Sequence, residues 1–391
     1  MKWASLRSDA TEIETALDEL VAACPFEDDA DIAFLFVSGQ HRAHFDRLPA
    51  MLRERIGIRC LVGCSASGVV GGGDEVEHRA SLGLTLGCLP DVRVDYWHID
   101  ANELGPGSAH SERCAALAAR LNGKPAQILI LADPFSFPAE QLLRSLEGAF
   151  PTSVIAGGLA SGGQAAGEIA VFVDDTAHYS GALVVALEGD IEVVSAVAQG
   201  CRPIGEPMFI SAYEQNKITS LDGKAPMELL AEVFTTLSES DKALVRHSLF
   251  LGLAMDPGES MHKRGDFLVR NIMGIEQESG ALWVGAEVRE HQVVQFHLRD
   301  AQTSSEDLKM QLQKMKGRLD PSASGALLFS CTGRGRGLYG LPNHDSDLMT
   351  QQVGEIPIGG FFCNGEIGQV GSTTFLHGYT SAIVVFQKPS H

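Results

Sequence analysis

One unit recurs along this chain, and it constrains the fold more than any other feature. An apolar strand is followed by a helix, a second apolar strand, a glycine-rich loop and a closing strand. In the first copy, residues 31–37 and Ile58-Arg-Cys-Leu-Val-Gly-Cys64 read as strands around a helix that ends at Leu52. The loop is Ser65-Ala-Ser-Gly-Val-Val-Gly-Gly-Gly73, and 80–87 closes the unit. The same order returns with strands 126–132 and 153–158, helix 138–149, loop 159–163 and closing strand 181–187. It returns again with strands 325–330 and 357–362, helix 345–353, loop 363–371 and closing strand 380–386. A degenerate fourth copy begins at 248–254, with a strand at 267–274.

Strand–helix–strand connections favour parallel pairing through a right-handed crossover. The third strand then returns antiparallel. The expected fold is therefore α/β, with two pseudo-repeated domains of mixed β-sheets flanked by helices. A length of 391 residues also asks for more than one domain. The Pro- and Gly-rich stretch 199–208 reads as a crossing between halves. The expected domains are 1–200 and 207–391.

Composition narrows the partners. A net charge of −20 argues against nucleic acid and anionic membrane. The N-terminus lacks an apolar signal core, and no apolar run reaches membrane-spanning length. Eight cysteines without paired spacing read as reduced thiols in a cytoplasmic protein. Cys60 with Cys64, and His41 with His44, lack the further ligands a metal site needs, so no metal is expected. No P-loop, nucleophile elbow or dinucleotide fingerprint occurs, so no cofactor is expected.

Chemistry gathers at the predicted strand ends. One cluster holds Ser65 and Ser67 after Cys64, and another holds Ser161 before two glycines. A third runs from Ser330 through Arg334 and Arg336 to Asn343, His344 and Asp345. The fourth is Cys363, Asn364 and Glu366, with His377 shortly after. Arginines spaced by glycines can offer forked donors to a carboxylate or phosphate. A carboxylate beside an amide can receive an ammonium group. A Cys nucleophile with a His base, Cys363 with His377 or His344, is the enzymatic alternative.

At these residues the chain resembles the FIST family, named for F-box and intracellular signal transduction proteins. The segments that carry the resemblance include Gly63-Cys-Ser-Ala-Ser-Gly-Val-Val-Gly71, Gly200-Cys-Arg-Pro-Ile-Gly205 and Phe329-Ser-Cys-Thr-Gly-Arg-Gly-Arg-Gly337. They continue with Pro342-Asn-His-Asp345, Gly360-Phe-Phe-Cys-Asn-Gly-Glu-Ile-Gly368 and Phe375-Leu-His-Gly378. The chain departs from the family pattern at Cys201, Gln369 and 161–163. The resemblance implies an N-terminal and a C-terminal FIST domain, a sensory role with small ligands such as amino acids, and no established catalysis. Family modules are often fused to output domains. None follows here, so output is expected through a signalling partner or self-association. On this reading Arg334 and Arg336 hold a ligand carboxylate, while Glu366 and Asn364 hold its amino group. Asn343, His344, Cys363, Ser65, Ser67 and Ser161 complete the expected ligand set. The rivals are a Cys363-dependent hydrolase or transferase, and an interaction scaffold without a small ligand.

Overall fold

The computed structural model describes residues 1–27, 30–256 and 262–389. By contact the chain divides into two compact units. The larger comprises Met1–Ala198, Leu308–Leu376 and Thr380–His391; the smaller comprises Gln199–Asp307 and His377–Tyr379.

The larger unit is built from three copies of one pattern. The first runs β1 (Lys2–Ser8), α1 (Ile13–Ala23), β2 (Ile32–Ser38), α2 (Leu48–Arg53), β3 (Leu61–Ala66), β4 (Gly68–Gly71), β5 (Asp74–Glu77) and β6 (Leu82–Cys88). The second runs β7 (Val92–Ile99), α3 (Ala109–Leu121), β8 (Gln127–Ala132), α4 (Ala139–Ala149), β9 (Val154–Leu159), β10 (Val171–Val173), β11 (Thr176–His178) and β12 (Ala182–Gly189). The third opens with β13 (Glu192–Ala198) and is interrupted by the smaller unit.

That smaller unit holds β14 (Cys201–Glu214), β15 (Lys217–Leu221), α5 (Pro226–Thr236), α6 (Glu239–Ser248), β16 (Leu249–Ala254), β17 (Phe267–Ile275), β18 (Leu282–Val284) and β19 (Val293–Arg299). Its strands close into a barrel in the order β14-β15-β18-β17-β16-β19. Ile204, Leu251, Phe296 and Leu298 pack together in its hydrophobic core. The expected fourth copy at 248–274 is thus part of this barrel. Its two strands pair antiparallel, Phe250 opposite Asn271, and not in parallel as a crossover unit would place them. The apolar run was read correctly as a strand, but apolarity alone does not say how a strand pairs.

The third copy then resumes with α7 (Ala301–Lys316), β20 (Gly325–Cys331), α8 (Gly335–Tyr339), α9 (His344–Val353), β21 (Ile358–Cys363), β22 (Gly365–Val370), β23 (Thr373–His377) and β24 (Ser381–Gln387). The three glycine loops are only partly loops. The first and third continue as strands β4 and β22; only the second stays open until β10.

Three six-stranded mixed sheets result, in the orders β1-β6-β2-β3-β10-β11, β7-β12-β8-β9-β22-β23 and β13-β24-β20-β21-β4-β5. In each, the first and second strands of the crossover run parallel and the closing strand antiparallel. The hairpin that completes each sheet comes from another copy. The first copy gives β4–β5 to the third sheet, the third gives β22–β23 to the second, and the second gives β10–β11 to the first.

Both faces of these sheets are covered, which is why the parallel strands are apolar throughout. Phe36, Val62, Leu129, Leu183, Phe329 and Phe361 from all three sheets share one central core. Phe36 stacks on Phe361 with ring centroids 4.8 Å apart. The outer faces pack separately on helices, as with Leu35 on Leu17 and Leu52 in the first copy. Gly63, Gly157 and Gly360 occupy one register, opposite Leu35, Ile130 and Leu328. A Cβ at these glycines would lie 1.8–1.9 Å from the facing carbonyl oxygen, so only glycine fits there.

Candidate functional site

Parallel strands leave backbone groups open at their carboxyl ends, and ligands of α/β proteins bind there. The larger unit has three such ends, set in register by equivalent hydrogen bonds. Ser38 N donates to Ser81 O, Asp133 N to Gly181 O, and Cys331 N to Thr380 O. They share a backbone and differ in chemistry, so each serves as a control for the others.

The third end is charged. The chain turns after β20 and brings Arg334 back under the strand tips. Its guanidinium forks onto Asp345 in the first turn of α9, Nε to Oδ2 at 2.8 Å and Nη2 to Oδ1 at 3.1 Å. Ser330 Oγ and Ser381 Oγ also donate to Asp345 Oδ2, at 3.1 and 3.2 Å. His344 Nδ1 lies 2.9 Å from Oδ1, and its ring stacks on Tyr339. Arg334 is 1% exposed and Asp345 0%. Burial alone would raise the Asp345 carboxyl. The Arg334 charge and the hydrogen bonds from His344 and Arg334 outweigh it and hold Asp345 well below the usual carboxylate range. Arg334 Nη1 is buried without a hydrogen-bond partner.

Glu366 lies on β22, fully buried. Its Oε2 accepts from Thr380 N at 3.0 Å and Thr380 Oγ1 at 2.8 Å. Burial pushes it up to about 8, against the Thr380 hydrogen bonds and the Arg334 charge. The first copy contributes Glu75 through its exchanged hairpin. Glu75 Oε1 accepts from Ser346 N in the first turn of α9 at 2.7 Å. Burial and the nearby Asp345 charge push it up to about 8 as well.

These two carboxyls set a pH dependence. Between their ordinary value of 4.5 and about 8 the folded protein holds protons that the unfolded chain releases. Their contribution to stability should therefore fall as pH rises through that window and level off above it, opposed below 6.5 by His41, His110 and His297, whose values burial lowers. Urea titrations across the window test this. Glu366→Gln should flatten the slope; an unchanged slope in that variant would show that Glu366 is ionised throughout.

The ten expected ligand residues fall into two groups. Arg334, Arg336, Asn343, His344 and Glu366 lie around the third strand end, though in different roles. Arg336 is exposed, and its backbone N–H donates to Glu77 Oε1 at 2.8 Å. Asn343 is occupied by the hairpin: Glu75 N donates to its Oδ1 at 2.8 Å, and its Nδ2 donates to Asp74 at 2.7 Å.

Ser65, Ser67, Ser161 and Asn364 link neighbouring copies by hydrogen bonds, while Cys363 lies in the core those copies share. Ser65 Oγ donates to Ser161 O at 2.9 Å and accepts from Ala170 N at 3.1 Å. Ser161 Oγ accepts from Ser67 N at 2.8 Å and donates to Phe362 O. Asn364 Nδ2 donates to Ala160 O at 3.2 Å. Ser67 alone of this group also borders an open hollow of about 400 Å³, with Gln40, His78 and Gln164.

Cys363 is fully buried in the central core, with Sγ 3.5 Å from Phe361 O. Burial and the neighbouring Glu366 push its thiol well above the usual range. His377 ends β23 and is buried. A nucleophile must reach substrate as a thiolate, and neither condition is met at Cys363. Among the described residues no group of three or more His, Cys, Asp or Glu is placed to hold a metal ion. Among them, too, no helix is long and apolar enough to cross a membrane.

Asp345 and Glu75 complete the site but stood outside the expected ligand set. Asp345 lies in the same turn as His344, and its pairing with Arg334 is an ordinary complement that the spacing permits. Glu75 is far away in sequence. Its signal was a carboxylate in the alternating strand Asp74-Glu-Val-Glu77, where one face must turn inward.

Over this geometry the chain can be compared with known proteins. An uncharacterized protein of Mycobacterium tuberculosis is 32% identical over 381 residues, which is 97% of this chain and 96% of that protein. An uncharacterized protein of Mycobacterium bovis is 33% identical over 375 residues, 95% of this chain and 93% of that protein. An F-box/LRR-repeat protein of Arabidopsis thaliana is 30% identical over 122 residues, 27% of this chain and 23% of its own length. FIST domains are sensory domains of signal transduction. The FIST N domain matches residues 31–224 and the FIST C domain residues 226–369, and the chain belongs to the FIST family.

Proposed function

We propose that this chain is a small-molecule-binding sensory module whose ligand is an amino acid or a related small carboxylate, held at the third strand end. The ligand carboxylate takes the free Nη1 of Arg334, and its ammonium faces Glu366. The observation that carries this reading is the asymmetry among three equivalent strand ends. The positions matching Arg334 are His41 and Ser136, each three residues past the shared backbone hydrogen bond. Burial lowers the pKa of His41, so it sits there neutral. At the matching positions the fold thus builds this strand end twice without a buried ion pair; Arg42, beside His41, pairs with Glu168 only near the surface. Burying charges is costly and seldom adds stability over apolar packing. His41 Nε2 is also buried without a partner, so the difference lies in charge: the third copy keeps a buried arginine–aspartate pair and a carboxyl poised near neutrality, which is the equipment of a binding site rather than of a scaffold.

Both groups are buried, so a ligand reaches them only when the turn from β20 through α8 opens. Occupancy is then tied to a change of conformation, as sensing requires. Output passes to a signalling partner or through self-association. No disulfide joins the cysteines among the described residues, which supports a reducing, cytoplasmic setting.

Thermal-shift measurement with amino acids and small carboxylates tests the reading, because a ligand of the folded state raises the melting temperature. A charge-assisted hydrogen bond contributes roughly 1.5–3 kcal/mol. Glu366→Gln should therefore weaken amino-acid binding by about ten- to hundredfold and leave carboxylates without an amino group unaffected. If no amino acid or carboxylate shifts the wild type, or if the variant responds identically, the site is rejected and the scaffold reading gains.

A further inference from the structure

A second cavity lies at the opposite, amino-terminal end of the second sheet. It measures about 990 Å³, within the range of ligand pockets, and its wall includes Val92, Leu121, Gln127, Glu188, Ile191 and Glu192. The first clue is Gln127. It is 4% exposed, and its Oε1 has no hydrogen-bond partner. A buried amide oxygen left unpaired costs stability.

The repeat again supplies the control. Gln127 stands three residues before Ile130 in register, where the other two copies carry Ile32 and Gly325. Ile32 is fully buried. The strand start therefore does not require an amide, and an apolar residue satisfies the same backbone elsewhere in the molecule.

The second clue is charge. The arginines on this wall are already neutralised. Arg120 Nε lies 3.0 Å from Glu188, and Arg120 also pairs with Asp95. Arg93 Nε lies 3.4 Å from Glu188 and 3.5 Å from Asp95. The lining cations are Arg93, Arg120 and Lys124; the lining carboxylates are Asp91, Glu188 and Glu192. Adding Asp95 gives four carboxylates to three cations. The unsatisfied atom is an acceptor, and the surrounding field favours positive charge.

We infer that this cavity binds a small primary amine with a compact apolar body. Its ammonium donates to Gln127 Oε1 and faces Glu188 and Glu192, while its alkyl part covers Val92, Leu121 and Ile191. The site is separate from the proposed amino-acid site, and an α-amino acid suits it poorly because a carboxylate would meet the excess negative charge.

Ligand-observed NMR and calorimetry on the full chain, with n-butylamine, n-butanol and butyrate as probes, test this directly. Butylamine should bind most tightly and butyrate least. Gln127→Leu imitates Ile32, so it should fold and should weaken butylamine by about tenfold or more. Gln127→Glu should tighten it, which keeps the test open if the leucine variant is unstable. Glu366→Gln should leave butylamine unchanged, so this site stands or falls apart from the other. Butanol or butyrate binding as tightly as the amine, no binding of any probe, or an unaltered affinity in both Gln127 variants would overturn the inference.

Discussion

Asp345→Ala is expected to lower stability by about 3–5 kcal/mol, because it leaves the Arg334 guanidinium buried without its counter-charge. The loss should be larger than the pair itself is worth. Two buried hydroxyls, Ser330 Oγ and Ser381 Oγ, lose their acceptor in the same step. The double variant Arg334→Met with Asp345→Leu removes both charges and fills the space with apolar groups. It should recover much of the loss, as paired removal of buried ions often does. Urea unfolding of the three proteins decides the matter. A single variant within about 1 kcal/mol of wild type, the worth of an exposed ion pair, would mean that water reaches the pair.

Gly360→Ala should be at least as damaging, by about 4 kcal/mol or more, a size reserved for changes the structure cannot absorb. Two causes act together. The backbone there has φ of 146°, a conformation that only glycine adopts at ease. An added Cβ would also fall 1.9 Å from Leu328 O, a ladder oxygen that cannot move without breaking the parallel pairing of β20 with β21. Gly337→Ala in α8 provides the contrast, since nothing lies within 4 Å of its Cβ. Comparable unfolding midpoints for the two variants would show that β21 can shift to make room.

Local pattern was legible in this sequence where burial is two-sided. Strands such as 126–132 and 325–330 are apolar without alternation because a core lies on one face and a helix on the other. The helices between them followed from amphipathic spacing. What could not be read was partnership at long range. Nothing near Glu75 states that it will cap α9, and nothing near 248–254 distinguishes a barrel strand from a crossover strand. The glycine-rich stretches were taken for loops because glycine usually breaks strands. Here it lets strands cross closely.

The site was legible in part for the same reason. Arg334 and Glu366 stood out as ionisable groups among glycines, and both fall at the charged strand end. The serines stood out equally, yet the hydroxyls of Ser65 and Ser161 are consumed by backbone groups of neighbouring copies. Sequence shows that a polar side chain needs a partner. It does not show whether another part of the chain will supply that partner first.

The exchange of hairpins around the three sheets fixes how many copies this architecture can have. Repeat proteins that stack in a line can gain or lose a unit, since each touches only its neighbours. Here the first copy completes the third sheet, the third completes the second, and the second completes the first. The series has already come back to its start. A fourth member would find no vacant place, and the loss of one would strip a neighbour's sheet of its outer strands and bare an unpaired edge open to aggregation. Descent from this chain can therefore vary what sits at each strand end, as the contrast between His41, Ser136 and Arg334 illustrates, while the number three stays locked.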